Sequence, residues 1–257
     1  MGEIVWLARY PVKSLCGEEL TQAYLGPAGF DGDRRHALVD AESGLVASAK
    51  NPRKWRRLLT MTARHGPDGA VVITGPDGAT VDTDDGLSRI VGRTVRLTGA
   101  RPGGGAMERL TPETEPGAGA MTMSQLPDGE TFVDFAAVHI VTTATLAALG
   151  RADARRFRPN LVVRMDDDEP FVENTWSGRT LTVGDAAIHV LHPTPRCPVP
   201  TLAQGQDLPE DPGVLRAAAR ANRIALWDQG PFTCVGAYGS VARAGTLRVG
   251  DPVRLAV

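Results

Sequence analysis

The sequence predicts a mainly β (α+β) protein, in which an N-terminal β-barrel-like domain is followed by a second β-barrel domain with a few short helices. Short runs of β-branched and apolar residues recur along the 257 residues and are separated by glycine-containing turns, a pattern typical of closed or nearly closed sheets. Segments with helical periodicity are few and short. The sequence contains no P-loop and no dinucleotide-binding fingerprint, the motifs that would indicate a parallel α/β sheet.

The first hundred residues carry most of the strand signals. A glycine-containing turn at 75–78 joins two of the expected strands as a hairpin. Asp84 or Asp85 can cap a short helix that Gly92 ends. The strands are expected at 3–10, 36–40, 44–49, 58–62, 70–74, 79–82 and 95–98.

Composition changes near residue 100. The segment 99–129 is rich in Gly, Pro, Thr and Glu, which predicts a linker or mobile loop. We therefore expect a first domain over 1–100, a linker over 101–129 and a second domain over 130–257.

The second domain opens with an expected strand at 138–141 and a helix at 142–149, which Gly150 ends. A hairpin is expected over 181–191 and an amphipathic helix over 213–223. The closing strands are expected at 232–241 and 246–257.

The expected strand at 157–164 is unusual because Pro159 cannot donate a hydrogen bond to a neighbouring strand, which predicts an edge or a bulge. At a period of two, Arg156, Arg158 and Asn160 share one face. Such a set of donors suits an anionic or heteroaromatic ligand, and a solvated basic face is the alternative.

Cys197 is the candidate reactive residue, since Arg196 and Pro198 flank it on a proline-rich segment. A neighbouring guanidinium favours the thiolate, which attacks electrophiles or ligates soft metals. A buried, inert cysteine is the alternative. Cys16 is expected to be passive and Cys234 structural. The three cysteines form no CxxC pair and no closed disulfide framework, which suits the reducing cytoplasm.

Charge and hydropathy exclude several classes of partner. The formal net charge is −2, so no global field recruits nucleic acid or an anionic membrane. No apolar stretch approaches the roughly 18 residues of a membrane span, and the N-terminus lacks a signal-peptide pattern. We expect a cytoplasmic protein without nucleic-acid or membrane partners.

Other clusters of potential ligands are weaker candidates. The acidic run 166–169 is contiguous and fits a solvated turn. His189 and His192 lack the helical spacing of a zinc motif. His139 lies in an apolar strand and is expected to be a core histidine.

Six motifs occur in a fixed order along the chain. They are residues 10–14 (YPVKS), 32–35 (GDRR), 156–160 (RFRPN), 196–197 (RC), 236–238 (GAY) and 249–253 (VGDPV). This series resembles that of MOSC proteins, named after the C-terminal part of molybdenum cofactor sulfurase. The resemblance runs from residue 3 to 257 and includes the N-terminal β-barrel domain found in the mitochondrial amidoxime reducing component and its bacterial relatives.

The resemblance implies a molybdenum cofactor (Mo-molybdopterin), with Cys197 as the metal ligand and catalytic residue. Lys13, Ser14 and Arg34 match positions that hold the phosphate end of the cofactor. The full set of cofactor-binding positions is Lys13, Ser14, Arg34, Lys50, Arg158, Asn160, Arg196 and Tyr238. Arg158 and Asn160 match positions that contact the pterin.

The resemblance also implies an oxidoreductase that reduces N-oxygenated small molecules with electrons from a separate donor protein. Two alternatives are a sulfur carrier with a persulfide on Cys197 and a molybdopterin-binding module without turnover. The chain departs from the reductases at Lys50, where they carry arginine. It is also more proline-rich at 198–201, which can reshape the substrate face.

Overall fold

The computed structural model describes residues 1–99, 105–150, 152–227 and 230–256. Strands predominate over short helices in these residues, which confirms the predicted mainly β fold. The strands are β1 (Gly2–Arg9), β2 (Glu18–Leu20), β3 (Gln22–Gly26), β4 (Gly29–Phe30), β5 (His36–Asp40), β6 (Thr62–His65), β7 (Val71–Thr74), β8 (Val95–Gly99), β9 (Ala106–Leu110), β10 (Met121–Gln125), β11 (Val138–Thr142), β12 (Leu161–Met165), β13 (Thr180–Val183), β14 (Ala186–Pro195), β15 (Arg223–Ala225), β16 (Pro231–Arg243), β17 (Gly245–Arg248) and β18 (Pro252–Leu255).

The helices of the described residues are all short. The α-helices are α1 (Pro52–Trp55), α2 (Asp84–Val91), α3 (Thr143–Ala148) and α4 (Pro212–Ala221), and the 3-10 helices are Arg56–Thr60, Ala154–Phe157, Val172–Trp176 and Val199–Thr201. Within the described part of the chain, no helix combines the length and the apolar character needed to cross a membrane.

Seven strands form a closed barrel. Their hydrogen-bonded order is β11, β12, β1, β18, β13, β14 and β16, and β16 pairs back onto β11. The pairing of β11 with β12 is parallel, and the other pairings around the barrel are antiparallel. Inward-pointing aliphatic side chains fill the barrel. They include Ile4, Leu7, Leu161, Leu181, Ile188 and Val253.

The N-terminal strand completes this barrel. β1 pairs with β12 through partners such as Leu7 and Leu161, and with β18 through Gly2 and Val253. Near the other end of the chain, β17 pairs with β3. The predicted boundary near residue 100 therefore separates stretches of sequence whose strands hydrogen-bond to each other.

The remainder of the first hundred residues packs around a second apolar core. β5 pairs with β8, and β6 pairs with β7. Helix α2 is capped by Thr83, one residue before the predicted cap, and ends at Gly92 as predicted. The core contains Val12, Leu15, Leu38, Trp55, Leu58, Met61, Leu87 and Val91.

Three strand predictions in this half were wrong. Residues 58–62 largely belong to the 3-10 helix Arg56–Thr60. This helix continues α1, in which Pro52 favours the first helical turn. Residues 44–49 contribute one isolated bridge to β5. Residues 79–82 form no regular strand, but the predicted turn at 75–78 does fold them back on β7, through an isolated bridge between Thr80 and Thr74 and a hydrogen bond from the Val81 amide to Ile73 O at 2.8 Å. The regular partner of β7 is β6.

The segment 101–129 is more ordered than the predicted linker or mobile loop. It contains an antiparallel hairpin of β9 and β10. Met107 is buried, and the Glu108 carboxylate accepts a hydrogen bond from Lys54 Nζ at 2.9 Å. These contacts attach the hairpin to the N-terminal half, which the composition of the segment does not reveal. Positions 101–104 lie outside the described residues.

The strand predicted at 157–164 begins only at Leu161. Pro159 cannot donate a ladder hydrogen bond, and Arg158 has a left-handed backbone with φ +56°, so regular pairing starts after them. Of the two predicted alternatives, the edge was wrong, because β12 lies between β11 and β1 in the barrel. A register shift of the kind that a bulge produces does occur in this pairing, between Ile4 and Trp6 of β1.

The first testable prediction concerns the seam where β16 closes the barrel onto β11. Gly236 has φ +77°, and a Cβ there would lie 2.7 Å from His139 Nε2 and closer still to the Ile140 carbonyl oxygen. Gly236→Ala should lower the free energy of unfolding, measured with urea, by more than about 2 kcal/mol, because it combines backbone strain with a steric clash.

Gly44→Ala is the matched control. Gly44 has φ +71° with open space around the missing Cβ, so this variant reports backbone strain alone, expected at about 1 kcal/mol. Equal losses in the two variants would contradict a tightly packed seam at Gly236.

Candidate functional site

The structure brings all nine predicted site residues to one cleft. The cleft has about 740 Å³ of empty volume, counting its open mouth. Its walls come from loops that follow β1 and β4, the segment before α1, the loop before β12, the end of β14 and the middle of β16. The predicted residues that line it are Lys13, Ser14, Arg34, Lys50, Arg158, Asn160, Arg196, Cys197 and Tyr238.

Asp134 holds two lysines of the cleft. Lys13 Nζ donates to Asp134 Oδ1 at 2.6 Å and to Phe132 O at 2.7 Å, and Lys50 Nζ lies 3.0 Å from Asp134 Oδ2. Burial tends to raise the pKa of Asp134, but the two ammonium groups outweigh it and hold this pKa well below its usual range. Asp134 is therefore ionised and positions both lysines. Sequence reasoning missed it, because no recognisable motif surrounds it.

Three non-glycine residues of the cleft have a left-handed backbone. Their φ angles are +65° at Ser14, +48° at Arg34 and +56° at Arg158. Such conformations cost on the order of 1–3 kcal/mol each and cluster at functional sites. Hydrogen bonds maintain them, since the Arg34 amide donates to Tyr10 O at 2.7 Å and the Arg158 amide donates to Arg155 O at 3.1 Å.

Arg158 is a cation of the cleft without a partner. Its Nη1 and Nη2 atoms are buried and form no hydrogen bond within the described residues. Its Cζ atom lies 4.4 Å from the centroid of the Tyr10 ring, and burial lowers its pKa. Arg34, in contrast, is paired with Asp33. A buried guanidinium with two free ends is costly by itself and suits an anion or an acceptor-rich ring.

Asn160 and Arg196 are tied into the walls of the cleft. Asn160 Oδ1 accepts the His139 amide at 3.2 Å, and Nδ2 donates to Ala8 O at 3.4 Å. Arg196 Nη2 donates to Phe157 O at 2.9 Å. Burial lowers the pKa of His139 well below its usual value, and the Arg196 charge adds to this effect. His139 is therefore neutral, and it lines the cleft besides being buried as predicted.

Cys197 follows β14 and precedes the 3-10 helix Val199–Thr201. Its side chain is free and half-buried. Burial tends to lower the pKa of Lys50, but the neighbouring carboxylate of Asp134 raises it above its usual value. Burial raises the pKa of Tyr238, and the charge of Asp134 adds to this effect. The thiol therefore shares the cleft with an ammonium group and a protonated phenol.

Other sequence candidates lie outside this cleft. Arg156 belongs to the 3-10 helix Ala154–Phe157 rather than to a strand, and its Nη2 donates to Pro209 O at 2.8 Å. The predicted common face with the cleft residues was therefore wrong. Cys16 lines a neighbouring cavity, and Cys234 is buried. Over the described ranges, no three His, Cys, Asp or Glu side chains form a group that could hold a metal ion.

The cleft has an excess of positive charge, although the whole chain carries −2. The cationic side chains in its lining are Lys13, Arg34, Lys50, Arg158 and Arg196. Asp134 is the acidic side chain in the lining, and Asp33 pairs with Arg34 beside it. Unpaired donors and a thiol in one cleft suit a ligand that combines negative charge, an acceptor-rich ring and a soft metal.

The sequence matches the models of two related protein domains. Residues 1–99 match the MOSC N-terminal beta barrel domain, and residues 128–254 match the MOSC domain. The chain therefore belongs to the MOSC family and carries both domains. This result confirms the resemblance carried by the ordered motifs.

Sequence identity to individual proteins is 29% or less in the following comparisons. Mitochondrial amidoxime reducing component 2 of Rattus norvegicus is 29% identical over 133 residues, which are 48% of this chain and 37% of that protein. The YUAD protein from Bacillus subtilis is 12% identical, with a TM-score of 0.46 over 99% of this chain and 94% of that one. YiiM from Geobacillus stearothermophilus is 15% identical, with a TM-score of 0.34 over 54% and 67% of the two chains. The chain thus matches little more than a third of the length of its curated relative.

The second prediction concerns the unpaired guanidinium. Arg158→Met keeps an apolar stem against Tyr10 and removes two unsatisfied buried donors. The free energy of unfolding of cofactor-free protein should rise by about 1–3 kcal/mol in urea denaturation. Arg155→Met is the control and should not stabilise, since Arg155 is already paired with Asp153 at 2.7 Å and Asp207 at 2.8 Å. Loss of stability in Arg158→Met would show that its charge is compensated.

The third prediction uses the pKa of Lys13, which burial lowers to about 8 against the opposing effect of Asp134. The ammonium form predominates below that pH and is lost above it. Sulfate, doubly charged throughout, should therefore bind cofactor-free protein up to about tenfold more weakly at pH 9 than at pH 7 by calorimetry. Lys13→Arg retains the charge and should abolish most of this difference. An undiminished pH dependence in that variant would assign the effect to another group.

Proposed function

We propose that this chain is a molybdenum-cofactor-dependent oxidoreductase that reduces N-oxygenated small molecules. The observation that carries the proposal is the cleft in which Cys197 and the unpaired Arg158 lie together with four other cations. Membership of the MOSC family and similarity to an amidoxime reducing component support it.

The donors of the cleft suit the two ends of a molybdopterin. Lys13 uses two of its three N–H groups within the protein, which leaves one for a phosphate. The Ser14 hydroxyl oxygen accepts a hydrogen bond from one backbone amide, and its own O–H group remains able to donate. Together with Arg34, these groups would hold the phosphate. The free ends of Arg158 would bind acceptors of the pterin, beside Asn160.

Cys197 would be the protein ligand to molybdenum. The ammonium group of Lys50 and the guanidinium of Arg196 line the same cleft as its side chain. When bound, the molybdenum centre would supply the two electrons that break the N–O bond of the substrate. The reaction consumes two electrons and two protons, converts N–OH into N–H and releases water. Tyr238 keeps its proton because burial raises its pKa, and it therefore acts as a hydrogen-bond donor in the cleft.

The substrate would be a small molecule, and the electrons would come from a separate donor protein. The proline-rich segment 198–201 forms a helical turn directly after Cys197. This segment would therefore shape the substrate side of the metal. Lys50 keeps the positive charge at its position and pairs with Asp134.

The fourth prediction tests the metal ligand. Protein purified from a host that makes molybdopterin should carry about one molybdenum per chain, and Cys197→Ser should lose most of it while its circular dichroism spectrum stays unchanged. Cys16→Ser is the matched control and should retain the metal, since Cys16 lies outside the cleft. Loaded wild-type protein with a reduced viologen should convert an N-hydroxyamidine into the amidine.

Equal molybdenum in wild type and Cys197→Ser would contradict the ligand assignment. A persulfide on Cys197 in metal-free protein, seen by intact mass, together with no turnover by loaded protein, would favour the sulfur carrier. A full complement of molybdenum without turnover of any N-oxygenated compound would favour a non-catalytic molybdopterin-binding module.

A further inference from the structure

Four aromatic rings form a continuous surface next to the cleft. This surface, the aromatic wall, consists of Phe135, His192, Trp227 and Tyr238. Centroid distances are 4.7 Å between Phe135 and His192, 5.0 Å between His192 and Trp227, and 5.7 Å between Phe135 and Tyr238. Edge-on contacts hold His192 between its neighbours, with interplanar angles of 68° and 78°.

Two rings of the wall are open to solvent. Phe135 is 50% exposed and Trp227 is 54% exposed. Their centroids are 6.3 Å apart and their planes are inclined by 45°. Adjacent exposed rings of this kind offer a large apolar surface at little conformational cost, and a planar ring can pack against them.

The wall is continuous with the cleft that contains Cys197. Tyr238 belongs to both, because it lines the cleft and stacks on Phe135 at an interplanar angle of 21°. Asp134 and Ala136, the chain neighbours of Phe135, also line the cleft. The exposed rings therefore border the part of the cleft that Tyr238 lines.

His192 adds an unmatched hydrogen-bond acceptor to the wall. Its Nδ1 atom lies 2.7 Å from the carbonyl oxygen of Pro193. A carbonyl can only accept, so Nδ1 carries the proton and Nε2 is left as the acceptor. Nε2 is buried and has no partner in the described part of the chain. A ligand with an N–H or O–H group beside its ring would supply the missing donor.

We propose that the aromatic wall selects planar aromatic substrates, stacked against Phe135 and Trp227 and donating a hydrogen bond to His192. This inference rests on the proposed function. The substrate class is an aryl N-hydroxyamidine or a related N-hydroxylated aromatic compound, preferred over its aliphatic counterpart. Phe135 and Trp227 set the specificity of the site and contribute nothing to the redox chemistry.

The test compares benzamidoxime with acetamidoxime as substrates of loaded protein with reduced viologen. Phe135→Ala and Trp227→Ala should lower kcat/KM for benzamidoxime about tenfold and leave that for acetamidoxime within about twofold. Tyr24→Ala removes a ring of similar exposure, 53%, on β3 outside the cleft and the wall. It should change neither value.

Binding without turnover provides a second measurement. Benzamidine, the reduced product, should quench the fluorescence of Trp227 in wild-type protein, and Trp227→Phe should lose this signal. His192→Phe keeps an aromatic ring but lacks the acceptor, so it should raise the Kd for benzamidine about fivefold or more.

The outcomes separate this inference from the proposed function. Equal losses for both amidoximes in the wall variants would overturn it, because a surface that selects aromatic substrates must affect benzamidoxime more than acetamidoxime. Unchanged benzamidine affinity in Phe135→Ala would also overturn it. Benzamidine binding at the wall without turnover of either amidoxime would support the wall as a binding surface for aromatic ligands and contradict the reductase.

Discussion

Closure of the barrel along the pairing of β11 with β16 is the constraint on which the cleft depends. The register of this pairing places His139 opposite Tyr238. β11 also lies beside β12, and Asn160, just before β12, accepts a hydrogen bond from the His139 amide. Arg196 joins the same group from the end of β14. Since a closed barrel has no free edge along which strands can slide, these four side chains are held at set positions relative to one another.

The electrostatics of the cleft oppose the stability of the fold. Like charges lie close together, and the paired contacts of Asp134 and Asp33 offset only part of their repulsion. Within the described residues, Nη1 and Nη2 of Arg158 have no hydrogen-bond partner although the guanidinium lies over the Tyr10 ring, and the backbone of Arg158 is strained. A protein selected for stability alone would not retain such an arrangement, because apolar or paired residues would be more favourable there. Binding an anion would offset part of this cost.

The sequence predicted the fold class and the residues that line the cleft more accurately than it predicted the local secondary structure. The ordered motifs contain eight of the predicted site residues, the family resemblance added Lys50, and all nine line one cleft. The strand prediction at 58–62 failed because these residues continue a helix that Pro52 begins, a local start signal that the apolar run obscured. The hairpin within 101–129 was missed because its order comes from contacts such as that of Glu108 with Lys54. Asp134 was missed for a related reason, since its role depends on two lysines distant in sequence.

The sequence by itself determined which chemical groups the chain can offer and in which order they occur. Its alternating apolar residues determine that strands pair through buried faces, and its turns determine that these strands are short. Only the tertiary structure decided which groups meet. Arg156 and Arg158 are two residues apart, yet Arg156 bonds to a backbone carbonyl while Arg158 faces the cleft unpaired. The reason is physical, because the left-handed turn at Arg158 redirects the chain, and that turn is stable only within the packed barrel.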